Sequence, residues 1–477
     1  MTDALHELSV PEAGARLRSG ELTSVELTRH ALDRIARLDP ALHAFILVTR
    51  ESALERAAAA DRDLRAGVDR GPMHGIPYAL KDIFDAEGVP TTNASRLCAD
   101  TVATADSTVE RRLRTGGAVG LGKLTTFEFA VGGPSFDLPF PPARNPWSED
   151  HVPSGSSSGS GAAVAAGLVR VTVGSDTSGS TRGPAFHCGA VGLKPTYGLV
   201  SGHGARTLSP TLDHFGPLTW TVADAAAALS VIAGPDPADP RTRDARVGDY
   251  TRALGRPVAG LRIAHSPGWY ADDPLTRPEI VTGIEQALGV LDGLGARVET
   301  VTPPPYEVFN ACGRIVFAAE AFAEHRDELR DRPRLFGRYT YQRVMPGAGV
   351  GAADLRRAHE VRRWLRRRLD ETVFDRHDVL VTACGQTTAA RWSDFPDDWP
   401  PPGLVNDMQT IPFSVTGHPA LALPIGFADD GLPVGLQIVG RPHAEATVFR
   451  VASALEAALA QRDLRPPHPA PTEGVAS

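Results

Sequence analysis

The chain has 477 residues, of which 42% are hydrophobic and 22% charged, and its formal net charge is −8 at pH 7. This composition is typical of a soluble globular protein, built as one large domain or as two to three ordinary ones. The negative net charge gives no reason to expect a nucleic acid or an anionic membrane as a partner.

The start of the chain and its cysteines bear on location. The first residues include acidic side chains and no apolar segment, so no secretory signal is expected. No apolar run approaches the roughly 20 residues that a membrane span requires. The cysteines are few and widely scattered, at Cys98, Cys188, Cys312 and Cys384. A reducing, cytoplasmic location is therefore expected, without a disulfide framework or a structural metal.

The first part of the chain alternates predicted helices with short apolar segments. Two of the helices begin with capping-box patterns, Thr23 with Glu26 and Ser107 with Glu110. Lys81 lies among apolar neighbours in a segment rich in turn residues. Helices are predicted over 23–38, 52–66 and 107–115, and a strand is predicted over 118–122.

The stretch 153–183 reads PSGSSSGSGAAVAAGLVRVTVGSDTSGSTRG and contains two Gly/Ser clusters, at 154–161 and 174–180. Between them, AAVAAGLV predicts a buried small-residue helix and VRVTV a buried strand. Gly/Ser loops held at both ends expose backbone N–H groups and let hydroxyls approach each other closely. This arrangement suits a serine-based acyl-transfer site.

The second part of the chain continues the alternation of strands and helices. The predicted elements are a loop-rich segment at 184–220, a helix over 221–234, a strand–helix–strand unit over 261–301, mainly helix over 303–376, a strand over 378–382, two strands joined by a turn over 419–440, and a last helix over 448–459. This order predicts an α/β fold with a mixed sheet.

Two short motifs in the central stretch are typical of other enzyme classes. The run GSSSG at 155–159 satisfies G-x-S-x-G with Ser157 at its centre, but no strand precedes it as a nucleophile elbow requires. The run GSG at 159–161 resembles part of a dinucleotide-binding loop, but it lacks the third glycine and the preceding strand. Neither motif is favoured.

A basic cluster, VRRWLRRRL at 361–369, could by itself indicate a nucleic-acid surface. Acidic residues border it on both sides, and Trp364, Leu365 and Leu369 are expected to form the inner face of a helix. A solvated helix face is therefore favoured over nucleic-acid binding.

The residues around Lys81 in the sequence permit two interpretations of its role. It can be a structural lysine that pairs with Asp82 or Asp85. Alternatively, burial among apolar neighbours lowers its pKa, so that it accepts a proton near neutrality and works together with Ser156 and Ser180.

Longer segments favour the second interpretation because they resemble the amidase signature family. These segments are HGIPYALKD at 74–82, GAVGLGKLTTFEFA at 117–130, RNPWS at 144–148, the stretch 153–183 with its continuation through SPTLDHFGP, and GLPVGLQIVGRPHAEATVFRVASALE at 431–456. The resemblance covers most of residues 5–460. It implies a large mixed β-sheet sandwiched between helices in a single large domain at 1–464, with core motifs at 71–220 and 405–460, a variable substrate-pocket region at 303–400, and a disordered tail at 465–477.

The resemblance also implies roles for individual residues. The general base corresponds to Lys81, the bridging serine to Ser156 and the nucleophile to Ser180, and the spacing of 24 residues between the two serines fits the family pattern. The peptide bond before Ser156 is expected to be cis. No metal or cofactor is needed, and the implied substrate is a small molecule with an amide-type bond.

The remaining carried-over positions support these three. The implied oxyanion hole consists of the backbone N–H groups of Thr177, Ser178, Gly179 and Ser180, with Asp176 and Arg182 as a structural ion pair and Ser157 in a supporting role. The backbone at Ala130 and Val131 corresponds to the position that binds the substrate amide. The chain departs from the family pattern at Ser178, Thr181, Ser158 and Thr125, none of which removes a catalytic group.

Three functions follow as hypotheses. The favoured one is a stand-alone hydrolase of apolar or aryl amides, with ester or carbamate activity also permitted, because the region 303–400 is rich in aromatic residues: Phe317, Phe322, Phe336, Tyr339, Tyr341, Trp392 and Trp399. The alternative is the glutaminase subunit of a tRNA-dependent amidotransferase. The third is an inactive relative that serves as a binding module. A homodimer is the default expectation for the assembly.

Overall fold

A computed structural model describes residues 5–395, 408–460 and 465–467. Its centre is an eleven-stranded mixed sheet, in which the strands lie in the order β1-β3-β2-β4-β6-β5-β10-β11-β9-β7-β8. The strands are β1 (Phe45–Val48), β2 (Pro77–Lys81), β3 (Val119–Leu124), β4 (Val171–Asp176), β5 (Val191–Lys194), β6 (His214–Thr219), β7 (Arg262–His265), β8 (Arg297–Thr300), β9 (Val379–Ala383), β10 (Ala420–Phe427) and β11 (Pro433–Gly440).

Helices flank this sheet. They are α1 (Val10–Ser19), α2 (Ser24–Leu42), α3 (Arg50–Arg65), α4 (Thr108–Thr115), α5 (Ser158–Ala165), α6 (Arg182–Cys188), α7 (Val222–Ile232), α8 (Pro278–Gly293), α9 (Tyr306–Asp331), α10 (Arg338–Val344), α11 (Ala352–Leu369), α12 (Ile411–Thr416) and α13 (Glu445–Leu459). The single large domain and the α/β class predicted from the sequence are confirmed.

Two glycines of β11 illustrate how both faces of the sheet are covered. A Cβ added at Gly435 would lie 3.1 Å from the Phe186 ring on α6, whereas one added at Gly440 would lie 2.7 Å from Val448 on α13. Residues an odd number apart on a strand point to opposite faces. Helices α6 and α13 therefore pack on opposite sides of this strand, where a larger side chain would hold either helix away.

Several predicted elements are present with small changes of boundary. The unit over 261–301 is β7, α8 and β8, the strand near 378–382 is β9, and the pair over 419–440 is β10 and β11. Helix α2 begins with the predicted capping box, in which Thr23 accepts from the backbone of Glu26 and the Glu26 carboxylate accepts from the backbone of Thr23.

The loop-rich prediction for 184–220 holds for 195–213, where no helix or strand forms, but it is wrong at both ends of the segment. Helix α6 extends through this segment's start, and β5 and β6 follow it in the middle of the sheet. The segment is rich in glycine and proline, which usually mark turns. Here Gly192 and Gly216 instead lie in close contact with neighbouring backbone. Their lack of a side chain allows the strands and helices to pack closely.

The second capping box is only half formed. The Ser107 side chain accepts from the Glu110 backbone, as predicted. The Glu110 carboxylate, however, accepts from the buried Tyr78 hydroxyl and from Arg56. A buried phenol needs a hydrogen-bond partner, so the tertiary contact displaces the local one.

The inner face predicted for the basic helix also needs correction. Leu365 and Leu369 are buried on α11, but Trp364 is 42% exposed. Neighbouring residues on a helix point about 100° apart, so Trp364 cannot share the face of Leu365. Ala358 occupies the third inner position instead.

Two further expectations concern the termini and membranes. Within the described ranges, no helix is both long and apolar enough to cross a membrane. Of the tail predicted to be disordered, residues 468–477 lie outside the described residues, and the Arg465 guanidinium lies 3.7 Å from the centre of the Trp220 ring.

Candidate active site

Lys81 lies at the carboxyl end of β2, directly beside β4. The two strands are parallel, with Leu80 opposite Val173, so residues that follow β4 meet Lys81 at the same edge of the sheet. The Lys81 side chain is fully buried. Its Nζ atom lies 2.7 Å from Ser156 Oγ and 2.9 Å from Ser175 Oγ.

The surroundings of Lys81 favour a neutral amine. Burial lowers its pKa from 10.5 to about 7, although the negative charges of Asp176 and Asp213 act in the opposite direction. The alternative of a structural ion pair with Asp82 or Asp85 does not hold, since Lys81 contacts neither carboxylate among the described residues and Asp82 is paired with Lys123 at 2.7 Å. A lysine without a contacting carboxylate can exchange its proton with the serine beside it.

Ser156 lies between Lys81 and the glycine-rich loops. The Gly155–Ser156 peptide bond is cis, as the family resemblance implies. The Ser156 carbonyl accepts from the Phe127 backbone at 3.0 Å, which holds the 127–131 segment beside it. A Cβ at Gly155 would lie 2.1 Å from the Phe127 ring, so only glycine fits against this segment.

Ser157, the centre of the short G-x-S-x-G motif, is fully buried. Its hydroxyl donates to the Ser175 carbonyl at 3.4 Å, and its backbone N–H donates to the Ser180 carbonyl at 3.3 Å. Ser157 therefore joins the two Gly/Ser clusters through hydrogen bonds and does not present its hydroxyl to solvent.

Ser180 lies in the turn between β4 and α6 and is 9% exposed. Within the described residues, no hydrogen bond joins the Ser180 and Ser156 hydroxyls. The backbone bond from Ser157 nevertheless brings the two serine-bearing loops together. Nucleophile contacts are often looser in a site without substrate.

The ion pair of Asp176 and Arg182 fixes the ends of the 177–180 turn. Both groups are fully buried, and two guanidinium nitrogens donate to the carboxylate at 2.9 Å each. Burial alone would raise the pKa of Asp176, but the charge and hydrogen bonds of Arg182 hold it below its ordinary value. Arg182 also donates to the Thr410 carbonyl and to Gln437, so α12 and β11 are attached to the same turn.

Three residues of the site were not predicted from the sequence. Ser175 contacts Lys81, Asp213 accepts from the Thr177 hydroxyl at 2.7 Å, and the Thr410 hydroxyl donates to the Ser178 carbonyl at 2.5 Å. The pairing of β2 with β4 would have indicated Ser175. No sequence signal indicates Asp213 or Thr410, because both reach the turn from distant segments.

The departure at Ser178 is accommodated by the backbone. Ser178 is not among the non-glycine residues with positive φ, so its Cβ costs no left-handed strain. Gly179 instead has a φ of +134°, and a Cβ there would lie 2.2 Å from Thr410 Oγ1. The turn therefore needs its glycine at 179 and not at 178.

The segment with Ala130 and Val131 forms a second wall. Phe129 and Ala130 have positive φ values of 50° and 62°. The Phe129 ring packs 5.6 Å from the Phe336 ring, between centroids. Glu128 fastens this wall to the 303–400 region, since it accepts from the backbone of Gly337 at 2.8 Å.

The aromatic residues expected in the pocket divide into two groups. Phe336 and Tyr339 are buried close to the 129–133 segment, with Tyr339 Cδ1 3.6 Å from the position of a Cβ on Gly133. Tyr341 is 37% exposed, and Trp392 stacks edge-on against the exposed Phe136. Trp399 lies outside the described residues.

Comparison with known proteins places this geometry in a family. The amidase family profile matches residues 26–449. The glutamyl-tRNA(Gln) amidotransferase subunits A of Trichlorobacter lovleyi and Moorella thermoacetica are each 39% identical, covering 95% and 97% of this chain and 98% and 99% of their own.

Solved structures give the same result. The peptide amidase of Stenotrophomonas maltophilia superimposes with a TM-score of 0.83 at 34% identity, covering 96% of this chain and 98% of its own. A bacterial aryl acylamidase superimposes with a TM-score of 0.86 at 27% identity, covering 96% and 98%. The chain therefore belongs to the amidase signature family and is a hydrolase of amide C–N bonds.

Proposed function

We propose that this chain hydrolyses its amide substrate through an acyl ester on Ser180, with Ser156 and Lys81 as the proton relay. The observation that carries the proposal is the buried contact of 2.7 Å between Lys81 Nζ and Ser156 Oγ. Since burial lowers the pKa of Lys81 to about 7, a large part of the amine is neutral at pH 7 and accepts a proton from Ser156.

The proposed reaction forms the acyl ester first and hydrolyses it second. Ser156 accepts the Ser180 proton as it gives its own to Lys81, and Ser180 Oγ forms a bond to the carbonyl carbon. The C–N bond then breaks, and the relay returns the proton to the leaving nitrogen. Water next attacks the ester and the relay takes one of its protons. As the C–O bond to Ser180 breaks, the relay returns this proton to Ser180 Oγ and the acid is released.

The backbone N–H groups of 177–180 are the proposed oxyanion hole. Each well-placed donor to a developing oxyanion contributes about 3 kcal/mol to transition-state stabilisation. Asp213 and Thr410 hold the turn from two sides, through the Thr177 hydroxyl and the Ser178 carbonyl. The backbone at Ala130 and Val131, on the opposite wall, is the proposed contact for the substrate amide.

Gly179→Ala tests the oxyanion assignment. The added Cβ would lie 2.2 Å from Thr410 Oγ1, so the turn must move and misplace its donors. We expect kcat to fall by roughly 10²- to 10³-fold, the effect of losing one oxyanion donor. Gly260→Ala is the matched control, because Gly260 has a φ of +79° and no atom within 4 Å of the added Cβ. A similar loss of kcat in both variants, or in neither, would contradict the assignment.

The substrate is proposed from the relatives together with the pocket wall. The subunits A match this chain along nearly its whole length, which supports glutamine as the amide and a partner-dependent amidotransferase as its setting. The favoured sequence-based hypothesis, apolar or aryl amides, is supported by the buried Phe129 and Phe336 wall and by the likeness to an aryl acylamidase. We place glutamine first, and we take 1–464 as one catalytic domain in which 303–400 supplies the variable wall.

An amide panel separates these two substrates. Ammonia or amine release should be measured with purified chain on glutamine, an anilide and an aliphatic amide, each with and without coexpressed candidate partner subunits. We expect glutamine turnover that increases when the partner is present. Turnover of the anilide at a much higher kcat/KM than glutamine, unaffected by the partner, would instead support the stand-alone enzyme.

A further inference from the structure

A cleft with a basic lining lies where α11 meets the end of α12. Its volume is about 320 Å³, within the range of small-molecule sites. The lining consists of Tyr197, His359, Arg362, Arg363, Arg366 and the 415–417 segment. We call it the arginine cleft. The described residues give its lining three guanidinium groups and a histidine but no carboxylate.

The arginines of α11 form two groups, those that pair with carboxylates and those that line the cleft. Arg356 and Arg357 pair with Glu360, at 2.5 and 3.3 Å. Arg367 and Arg368 pair with Glu371, at 3.8 and 2.6 Å. None of these four arginines lines the arginine cleft, so the helix neutralises its cations elsewhere and leaves those of the cleft without acidic partners.

The cations of the cleft retain free donors. Arg362 donates to the carbonyls of Val415 and Thr211, at 2.7 and 2.6 Å, through Nε and one terminal nitrogen. Burial and the charge of Arg366 act to lower the pKa of Arg362, although Glu320 opposes them. Among the described residues, the side chains of Arg363 and Arg366 have no hydrogen bond or ion pair. Like charges gathered in one concave site repel, and a bound anion would relieve this repulsion.

The charge of the Glu320 carboxylate acts on Arg362, but this carboxylate is already engaged. It accepts from the hydroxyls of Ser209 and Thr211 and does not line the cleft, so it does not neutralise the cluster fully. Acidic Glu360 and Glu371 border the cluster along the helix. An extended polyanion such as a nucleic acid would meet these acids, whereas a compact ligand meets only the cleft.

We propose that the arginine cleft binds a small oxyanion that carries two or more phosphate or carboxylate groups. Planar guanidinium groups bind both kinds of group in a bidentate manner, which a site of clustered lysines would not do. The cleft shares no residue with the catalytic centre. Helix α12 connects them, since Thr410 precedes it beside Ser178 and its end at 415–417 lines the cleft.

Titration calorimetry on the full chain tests the proposal, with pyrophosphate and citrate as probes at low and high salt. We expect one ion bound per chain, with affinity that falls as salt increases. Arg363→Ala/Arg366→Ala should weaken binding by roughly tenfold or more, since both charge-assisted partners are lost. Arg357→Ala/Arg368→Ala is the matched control, because it removes the same charge from a different face of the same helix, outside the cleft, and it should change affinity by less than about twofold.

The comparison of probes and variants decides the proposal. Binding of pyrophosphate alone, citrate alone or both supports it and identifies the anionic group. Equal weakening in the two double variants, absence of binding by either probe, or binding of only a long single-stranded oligonucleotide would overturn it. If Arg363→Ala/Arg366→Ala lowers the melting temperature, Arg363→Gln/Arg366→Gln replaces it, because glutamine keeps most of the side-chain stem.

Discussion

Ser180→Ala should lower kcat by roughly 10⁴- to 10⁶-fold, as in serine hydrolases that lose their nucleophile. The fold should be unaffected, because Ser180 Oγ makes no hydrogen bond within the described residues and the change removes a single atom. Turnover of the preferred amide and the melting temperature should be measured on the same preparations. A large loss of kcat at an unchanged melting temperature assigns the effect to chemistry.

Ser157→Ala is the matched control for this variant. Ser157 is buried, its hydroxyl makes one long bond of 3.4 Å to the Ser175 carbonyl, and it is the serine that the G-x-S-x-G motif would select. We expect kcat to fall by less than about tenfold, because a bond of this length and kind contributes about 1 kcal/mol at most. Complete loss in Ser157→Ala with substantial activity in Ser180→Ala would reverse the assignment.

The second large effect concerns Lys81 and pH. Because the neutral amine is the proposed base and its pKa is about 7, kcat/KM should rise with pH through about 7 and level off above it. Below pH 7 the rate should fall about tenfold for each pH unit. Lys81→Met should abolish this limb and reduce kcat/KM by at least roughly 10³-fold on the plateau above pH 7. A maximum near pH 5 in the wild-type profile is incompatible with a lysine base.

The stability of Lys81→Met provides the control. The pKa of Lys81 is lower in the folded chain than its ordinary value of 10.5, so the unfolded chain binds more protons between about pH 7 and 10.5. The free energy of unfolding therefore increases as pH rises from about 7 to 10.5, and it decreases as pH falls through the same range. Methionine has a similar volume and no charge, so Lys81→Met should be at least as stable as the wild type at pH 7. An inactive but stable variant excludes unfolding as the cause.

Regular elements were predictable from the sequence wherever local pattern and tertiary position agree. Strand β7, helix α8 and strand β8 were found from spacing alone, since their apolar residues follow the period of the element they form. Strands β5 and β6 within 184–220 were not, because their glycines allow close packing in the sheet and carry no periodic signal. Glu110 was predicted to complete a capping box with Ser107. Its carboxylate instead accepts a hydrogen bond from the buried Tyr78 hydroxyl, 32 residues away in sequence.

The candidate site shows the same division. Lys81 and Ser156 lie 75 residues apart, and spacing alone left the lysine open between a structural and a chemical role; the family resemblance favoured the chemical one. The contact with Ser175 follows only from knowing that β2 and β4 are parallel neighbours. Asp213 and Thr410 could not be predicted, because single polar residues in loops become parts of a site only through the packing of distant segments.

The most direct test of the account is the site and rate of covalent labelling by a fluorophosphonate, measured by intact-protein and peptide mass spectrometry. We predict one adduct per chain on Ser180, absent from Ser180→Ala and formed far more slowly in Lys81→Met. An adduct on Ser157, or equal labelling rates in the wild type and Lys81→Met, would contradict the proposed relay.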